Sequence, residues 1–124
     1  MIAADTSSFI AFFSGEEEKD TFLLGKSLED GLLVLIPPVL SELLSDPNLP
    51  SKHRKVLNMM PLKVLKEGFW ERTGILRSKI IAKKRKARLA DALIAQYCLD
   101  YNLSLITRDS DFINFAKNSA LTIL

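Results

Sequence analysis

The sequence predicts a three-layer α/β/α sandwich around a mainly parallel central sheet. Two observations lead to this fold class. Short apolar runs of strand length, such as residues 32–36 and 104–107, alternate with longer segments that have helical spacing. The run at 32–36 is apolar throughout, which is typical of a parallel strand buried on both faces. Strands that alternate with helices in this way favour a parallel sheet covered by helices.

Turn and capping signals order the elements along the chain. We predict strands at residues 2–4, 32–36, 62–65, 104–107 and 121–124. We predict helices at residues 9–13, 16–29, 39–44, 56–60, 69–85, 89–99 and 112–116. Pro37 and Pro38 suit the first turn of the helix that continues to Leu44. No repeat or linker divides the chain, so residues 1–124 are expected to form one domain.

Composition limits the class of protein. The chain has 124 residues, of which 48% are hydrophobic, enough for one compact domain with a sizeable core. Cys98 is the only cysteine, so an intramolecular disulfide is impossible and secretion has no support. No segment approaches the roughly 18 uninterrupted apolar residues of a membrane span. We therefore expect a cytoplasmic protein with no membrane segment. His53 is expected at the surface, and Cys98 as a small buried residue.

The net charge of +2 conceals an uneven distribution of charge. Residues 77–88 carry seven basic side chains and no acid, whereas acids dominate residues 16–20. The basic run can be a solvated helix end, where cations suit the negative end of the helix dipole. We favour a strip that contacts phosphates, because a carboxylate cluster alone would repel RNA. The predicted RNA-contacting residues of this run are Lys83, Lys84, Arg85, Lys86 and Arg88.

Four acidic residues lie where an apolar segment ends or a helix begins: Asp5, Glu42, Asp91 and Asp109. Carboxylates placed against a core are costly unless a positive charge pairs with them. In open α/β sheets, ligands bind outside the carboxyl ends of the strands, and all four acids can reach that edge. Oxygen ligands select hard cations, so Mg²⁺ or Mn²⁺ is expected rather than zinc.

Each acid also has an ordinary interpretation. Asp5 can be a helix cap, and Glu42 can be a solvated helix position. Asp91 fits a solvated role less well, because Ala, Leu and Ile surround it. Asp109 and Asp111 are typical turn aspartates, either of which can cap the helix at residue 112. The order and spacing of the set therefore matter more than any single member.

Four short motifs, at residues 2–7, 38–43, 90–95 and 107–112, together resemble the acidic motifs of PIN-domain nucleases. The chain looks similar to the VapC toxin branch of that family, which is also short. The resemblance implies a PIN-like fold and a ribonuclease that depends on Mg²⁺ or Mn²⁺. It also implies a protein that is often homodimeric and often held inactive by a cognate antitoxin.

Residue roles follow from the same resemblance. The catalytic and metal-binding acids would be Asp5, Glu42, Asp91 and Asp109, with Asp111 as a further metal ligand that only some members use. Hydroxyls that orient these carboxylates or metal-bound water would come from Thr6, Ser7 and Thr107. Independently of the resemblance, Arg108 is the counter-charge beside Asp109, and it can tune that acid or contact RNA.

Other functions remain to be weighed against a nuclease. A non-catalytic PIN-like module could hold RNA or a protein without cleaving, although all four acids are retained. A phospho-acceptor receiver domain would need adjacent acids after its first strand and a lysine near its last strands. Residues 6–8 after Asp5 are Thr-Ser-Ser, and no lysine lies between Ala87 and Ala116, which argues against this class. Phe69 and Trp70 could stack on a base, but packing into a core or dimer interface is the more common role. A phenylalanine- and leucine-rich group could form a groove for an antitoxin helix, or part of the core: Phe9, Phe12, Phe13, Phe22, Leu23 and Leu24.

Overall fold

A computed structural model describes all residues from 1 to 124. The elements in chain order are β1 (Ile2–Ala4), α1 (Thr6–Phe13), α2 (Lys19–Glu29), α3 (Pro37–Leu44), α4 (Ser51–Asn58), α5 (Phe69–Ala82), α6 (Leu89–Asp100), β2 (Ser104–Ile106) and α7 (Phe112–Lys117). Helix α1 packs against α2 and α3, while α6 packs against α3, α5 and α7. None of these helices combines the length and the apolar character needed to cross a membrane.

The sheet is parallel, as predicted, but its regular part is small. Strands β1 and β2 pair in parallel, with Ile2 opposite Ser104. Two predicted strands contribute only one bridge each: Leu33 joins Ile2 on one side, and Ile123 joins Leu105 on the other. Both bridges are also parallel, so four chain segments lie side by side in one direction. The predicted α/β class with a parallel sheet is confirmed.

The strand predicted at 62–65 is wrong. This segment has no strand pairing, and its nearest link to the sheet is the bond from Leu35 N–H to Pro61 C=O at 3.0 Å. Tyrosine hydroxyls from α6 replace strand partners here. Tyr97 donates to the carbonyl of Lys63 at 2.9 Å and accepts from its N–H at 3.1 Å, and Tyr101 donates to the carbonyl of Val64. Apolar character alone could not distinguish these two ways of satisfying the backbone.

Helix boundaries shift where caps decide them. Helix α1 begins at Thr6, three residues before the predicted start, because the Asp5 carboxylate accepts from Ser8 N–H and caps it. Helix α4 runs from Ser51, directly after Pro50, to Asn58, so the segment at 56–60, predicted to close a short helix, contributes its last residues and ends two residues earlier. Helix α5 ends at Ala82, since Lys84 adopts a left-handed φ of 56° that no helix can continue. Residues 83–88 of the basic run therefore lie in a loop between α5 and α6.

One apolar cluster forms the core. It contains 27 buried residues from β1, β2, the helices and the segment at 33–36, where Val34 and Ile36 have no exposed surface. Burial makes the continuous apolar run at 32–36 favourable even without regular pairing. Cys98 is fully buried, and this burial raises the pKa of its thiol to about 12, so the side chain packs as a small apolar group.

Candidate active site

The first acid, Asp5, is fixed where β1 ends and α1 begins. Its side chain is only 3% exposed. One oxygen accepts from the backbone N–H of Ser8 at 3.0 Å, and Ser7 Oγ donates to the same carboxylate at 2.9 Å. Thr107 donates to the other oxygen from the loop after β2. Burial raises the pKa of Asp5, and these hydrogen bonds oppose that rise. The capping role and a role in the acid site therefore coexist.

Glu42 reaches the site from the middle of α3. Its side chain is exposed, and its Oε1 accepts a 2.7 Å hydrogen bond from Thr6 Oγ1. Thr6 is the first residue of α1, so this bond ties α3 to the helix that Asp5 caps. The hydroxyls of Thr6, Ser7 and Thr107 thus all bond to acids of the predicted set, Thr6 and Ser7 from the chain after Asp5 and Thr107 from the opposite loop.

Three further carboxylates converge from the start of α6 and the loop after β2. Oxygens of Asp91, Asp109 and Asp111 lie within 4.8 Å of one another, close enough to share one cation. Asp91 lies in the first turn of α6 and is 9% exposed. Its Oδ2 is buried and has no hydrogen-bond partner in the protein. A buried carboxylate oxygen without a partner is costly, unless an ion completes the arrangement.

The electrostatics of Asp91 point the same way. Burial, above all, together with the charge of Asp109, raises the pKa of Asp91 to about 6. Arg88 acts in the opposite direction, and the charges of Asp111 and Asp5 make smaller contributions to the rise. Carboxylates that repel one another in this manner are stabilised by a divalent cation.

A cleft of about 220 Å³ joins the acids. Its lining includes all four acids predicted to be catalytic, namely Asp5, Glu42, Asp91 and Asp109, together with Thr6, Ser7, Ile10, Arg88 and Ile94. The donor set is entirely oxygen, which fits Mg²⁺ or Mn²⁺, and the unpartnered Asp91 Oδ2 is the atom that such an ion would satisfy. No histidine or cysteine is present for zinc.

Asp109 and Asp111 are also ordered by the loop that carries them. The N–H of Asp109 donates to Thr107 Oγ1 at 3.0 Å, and the N–H of Asp111 donates to Asp109 Oδ1 at 2.9 Å. Asp111 precedes α7 but its side chain makes no capping hydrogen bond. Instead it faces two cations, Lys86 at 3.1 Å and Arg88 at 3.9 Å. A metal ion at Asp111 would compete with these contacts.

The basic run lies beside this cleft. All five predicted RNA-contacting residues of the run are exposed: Lys83, Lys84, Arg85, Lys86 and Arg88. Lys86 and Arg88 approach the acids through Asp111, while Lys83 contacts Asn118 after α7. The remaining two side chains form no ion pair in the structure. Positive charge is therefore available at one end of the carboxylate cleft.

Arg108 faces away from Asp109. Its guanidinium forms a two-point ion pair with Asp20 of α2, at 2.8 and 3.0 Å, and a further contact to Glu16 at 3.1 Å. The hydrogen bond from Arg108 lowers the pKa of Asp20. An RNA contact by Arg108 stays a prediction and would require this ion pair to open.

Two residues that the sequence did not single out hold the acid-bearing segments in place through hydrogen bonds. Ser8 has no exposed surface and donates from its hydroxyl to Asp20 at 2.9 Å, while its N–H holds Asp5. Asp20 is 8% exposed and also binds Arg108, the residue directly before Asp109. One signal was available: Asp20 shares the helical face of α2 with the buried Leu24 and Ser27.

The aromatic candidates divide between core and surface. Phe69 is buried, whereas Trp70 is 65% exposed and meets Phe69 edge-on. Phe9 and Leu24 belong to the core, Phe12, Phe13 and Leu23 are half-buried, and Phe22 is 72% exposed. The proposed groove is therefore mostly core, with Phe22 left open. His53 is half-buried, because its ring stacks on Phe13 with centroids 4.3 Å apart.

Comparison with known proteins decides the family. The family model described as PIN domain matches residues 2–118, nearly the whole chain. The chain belongs to the PIN-domain family. PIN domains are generally nucleases and typically use a divalent metal. The family predicted from the acidic motifs is confirmed.

Solved structures share the fold. One match is a chain in the structure of VapBC2 from Rickettsia felis bound to a DNA fragment from the promoter of these proteins. That chain is 18% identical to the present one and superposes with a TM-score of 0.74. The match covers 100% of this PIN-domain chain and 98% of that chain. FitAcB from Neisseria gonorrhoeae matches with 20% identity and a TM-score of 0.71, over 100% of this chain and 96% of that one. No curated protein sequence matches.

Proposed function

We propose that this PIN domain is a metal-dependent endoribonuclease that hydrolyses RNA phosphodiester bonds. The observation that carries the proposal is the carboxylate of Asp91: its Oδ2 is buried without a partner, and one of its oxygens lies within 4.8 Å of oxygens of Asp109 and Asp111. Such an arrangement is unstable as an ordinary ion-pair network and suited to a bound cation. Family membership supports a nuclease, and the basic run supports a polyanionic substrate.

The acids divide the work by position. Asp5, Asp91 and Asp109 would hold Mg²⁺ or Mn²⁺, with Glu42 at the exposed side of the cleft and Asp111 as a further candidate ligand. These residues would hold the ion, and a divalent cation bound there would supply Lewis-acid stabilisation for the phosphate and a lowered pKa for bound water. Thr107 and Ser7 keep the Asp5 carboxylate in one orientation, and Thr6 does the same for Glu42.

Lys83, Lys84 and Arg85 would lead the RNA backbone to the cleft. Their exposed charges offset the repulsion between RNA phosphates and the carboxylates. Lys86 and Arg88 both contact Asp111, which supports a role for these two cations beside the scissile phosphate. These contacts recognise phosphates and carry no base specificity.

The test of this function is cleavage of a labelled RNA pool by the purified protein. We expect cleavage with Mg²⁺ or Mn²⁺, none with chelator, and no cleavage of DNA of the same sequences. Recovery of activity after metal is restored to chelated protein would exclude denaturation. Absence of cleavage with either metal, combined with retained RNA binding, would favour the non-catalytic binding module instead.

We also propose that the protein is a VapC-type toxin with a cognate antitoxin. Its fold resembles chains in the VapBC2 and FitAcB structures. The exposed Phe22 lies beside Phe12 in a groove along α1 and α2, and residues 16–18 place acidic charge on its rim. Co-expression with the adjacent gene product should relieve growth arrest, and Phe22→Asp should weaken that complex. Unrelieved arrest with every neighbouring gene would contradict the toxin assignment.

A homodimer and a cytoplasmic location complete the proposal. Trp70 and Ile75 leave apolar surface open on α5, at 65% and 59% exposure, which suits a self-contact. Light scattering should report twice the chain mass of 13.9 kDa. A mass of one chain at micromolar protein concentration would contradict the proposed homodimer. An RNA substrate and an antitoxin made beside the toxin both place the activity in the cytoplasm.

A further inference from the structure

A second cleft adjoins the acid cleft on the side of Glu42. It encloses about 310 Å³ between α1, α3 and α4. Its lining consists of Ile10, Phe13, Ser14, Glu42, Leu43, Asp46, Leu49, Pro50 and His53. Ile10 and Glu42 line both clefts, so the two spaces are contiguous. A nucleotide held at the acids can therefore extend into the second cleft, which we name the His53 pocket.

Flat rings line the His53 pocket. His53 from α4 lies parallel to Phe13 from α1, with centroids 4.3 Å apart and an angle of 9° between the rings. Ile10, 55% exposed, adds an open apolar surface next to them. A planar imidazole on an aromatic ring, beside an exposed aliphatic side chain, is suited to a flat aromatic ligand. Single-stranded RNA offers such ligands, since its unstacked bases stack on aromatic and histidine side chains.

The charges of the pocket exclude phosphate and favour N–H donors. Glu42 and Asp46 bring two carboxylates to its lining, which contains no lysine or arginine. Asp46 is held in place, because its Oδ1 accepts from the N–H of Asn48 at 2.9 Å. Carboxylates accept hydrogen bonds from the exocyclic amino groups of bases, as in contacts to cytosine N4. Uracil has no amino group and offers only its single N3–H to a carboxylate, so we expect it to bind least well.

The two clefts differ in charge at their outer ends. Arg88 lines the acid cleft together with Glu42, and the basic run continues from it. The backbone of an RNA strand would thus lie toward Lys83 and Lys84, while the opposite side of the acids offers rings and carboxylates in place of cations. In this arrangement phosphates would be recognised by the basic run and a base by the His53 pocket.

We infer that the His53 pocket binds the nucleobase next to the scissile phosphate, and that it prefers amino-bearing bases over uracil. This inference rests on the proposed ribonuclease function and adds a source of sequence preference to it. The bases stack on His53 and are oriented by Asp46 and Glu42. A peptide segment of a partner protein is the alternative occupant that the experiments must distinguish.

The first experiment needs no catalysis. Cytidine, adenosine, guanosine, uridine and ribose 5-phosphate are titrated into the isotope-labelled protein in the presence of chelator. We expect cytidine, adenosine and guanosine to shift the resonances of His53 and Phe13 at millimolar concentration. Ribose 5-phosphate should leave them unchanged. Equal shifts with the sugar phosphate, or none with any nucleoside, would overturn the inference.

The second experiment compares variants in cleavage. His53→Ala should raise KM on the order of tenfold with little change in kcat, because the stacking of one base is worth a factor of that size. His53→Phe should restore most of the affinity, since it keeps the ring. Met59→Ala is the matched control: it removes an exposed side chain at the end of the same helix, α4, outside both clefts, and KM should not change. An unchanged KM in His53→Ala would contradict the inference.

The substrate supplies the last control. An RNA with an abasic nucleotide beside the cleavage site should be cut equally well by the wild type and by His53→Ala. If the wild type cleaved the abasic RNA as efficiently as the intact RNA, the pocket would not bind a base, while the nuclease function would stand. Failure of the wild type to cleave any RNA would remove the nuclease function, and with it this role of the pocket. An antitoxin could instead rescue growth and shift only the resonances of His53. That result would assign the pocket to a partner protein.

Discussion

At the scale of single residues, Asp91 dominates the account. Its environment in α6 was the one local pattern in the sequence that an ordinary solvated role could not explain well. In the structure it is 9% exposed, lies near Asp109 and Asp111, and has one oxygen without a partner. Keeping this carboxylate buried without a partner lowers the stability of the fold, as expected where function and folding compete.

The first prediction concerns the stability of the metal-free protein. The pKa of Asp91 is raised to about 6, so the folded state holds a proton that the unfolded state has lost between about pH 4 and pH 6. Stability should therefore fall as pH rises through this window. With allowance for screening by solvent, the loss should be about 1 to 2 kcal/mol.

Urea unfolding in chelator measures this loss. Asp91→Asn should abolish most of it and should be more stable than the wild type at pH 7. Addition of Mn²⁺ should stabilise the wild type and not the variant. Equal pH profiles for the two proteins would mean that Asp91 is not under electrostatic strain.

The second prediction concerns the support behind the site. Asp20→Asn removes the charge that pairs with Arg108 and should cost about 1 to 2 kcal/mol at pH 7. Because pairing with Arg108 lowers the pKa of Asp20, the wild type should lose this advantage as pH falls below about 4. Urea midpoints at pH 7 and pH 3 provide the measurement.

A matched control exists in the same helix. Asp30 pairs with Lys26 at 3.5 Å, but both side chains are exposed. Asp30→Asn should change the free energy of unfolding by less than about 0.5 kcal/mol. If Asp20→Asn were equally neutral, the pair with Arg108 would be a surface contact without a positioning role.

At the scale of elements, caps and turns decide where the functional residues point. Asp5 caps α1 and reaches the site with the same carboxylate. The left-handed conformation of Lys84 ends α5 early, so residues 83–88 of the basic run form a loop. Helix propensity favoured its continuation to residue 85, because lysine and arginine are good helix formers. The result brings Lys86 within 3.1 Å of Asp111.

The third prediction concerns this loop. The triple change of Lys83, Lys84 and Arg85 to Gln should weaken RNA binding uniformly across sequences. The slope of log Kd against log salt should fall by about 0.7 for each RNA phosphate that the variant no longer neutralises. Binding to the Asp91→Asn protein over a salt series measures it without cleavage. A control of equal charge changes the exposed Lys26, Lys55 and Lys66 to Gln and should leave the slope unchanged.

If both triple variants had the same slope, the basic run would contribute only net charge. Lys86 and Arg88 are kept in this test, because their contacts to Asp111 would mix effects on RNA with effects on the acid site.

The elements whose signals are local lie where the sequence predicts them. Seven helices were expected and seven are present, and the strands at Ile2–Ala4 and Ser104–Ile106 lie where their apolar runs predicted. The weak points depend on distant contacts. Residues 32–36 and 121–124 reach the sheet through single bridges, and residues 62–65 bond to tyrosines of α6. An apolar pattern of strand length indicates burial, but it does not indicate which groups form hydrogen bonds with the backbone N–H and C=O of that segment.

The acid site divides in the same way. Its members were found because strand ends and helix starts meet at one edge of a parallel sheet. The direction of Arg108 could not be found, because it depends on Asp20, which is 88 residues away in the chain. The pairing of Lys86 with Asp111 likewise needed the turn at Lys84.

At the scale of the whole molecule, one core connects all of these parts. The 27 buried residues form one cluster, and contacts from α6 reach α3, α5 and α7. Asp5 and Asp91 are attached to this core from opposite ends of the chain. Their relative position, and hence the metal site, therefore depends on the fold as a unit.

The fourth prediction follows from this connectivity. Residues 1–124 should unfold in one cooperative transition. Trp70 is the only tryptophan, so its fluorescence reports on α5, while circular dichroism reports on all helices. The two midpoints in urea should coincide. Separate transitions would divide the chain into two units and contradict the single-domain expectation.

The central claim is that the carboxylate cluster is the catalytic metal site of a ribonuclease. Cleavage of RNA by the wild type, Asp91→Asn and the exposed control Glu29→Gln, in Mn²⁺ and in chelator, tests it most directly. We expect Asp91→Asn to lose at least about a hundredfold in rate while remaining folded, and Glu29→Gln to cleave like the wild type. Full cleavage by Asp91→Asn, or cleavage by the wild type in chelator, would contradict the account.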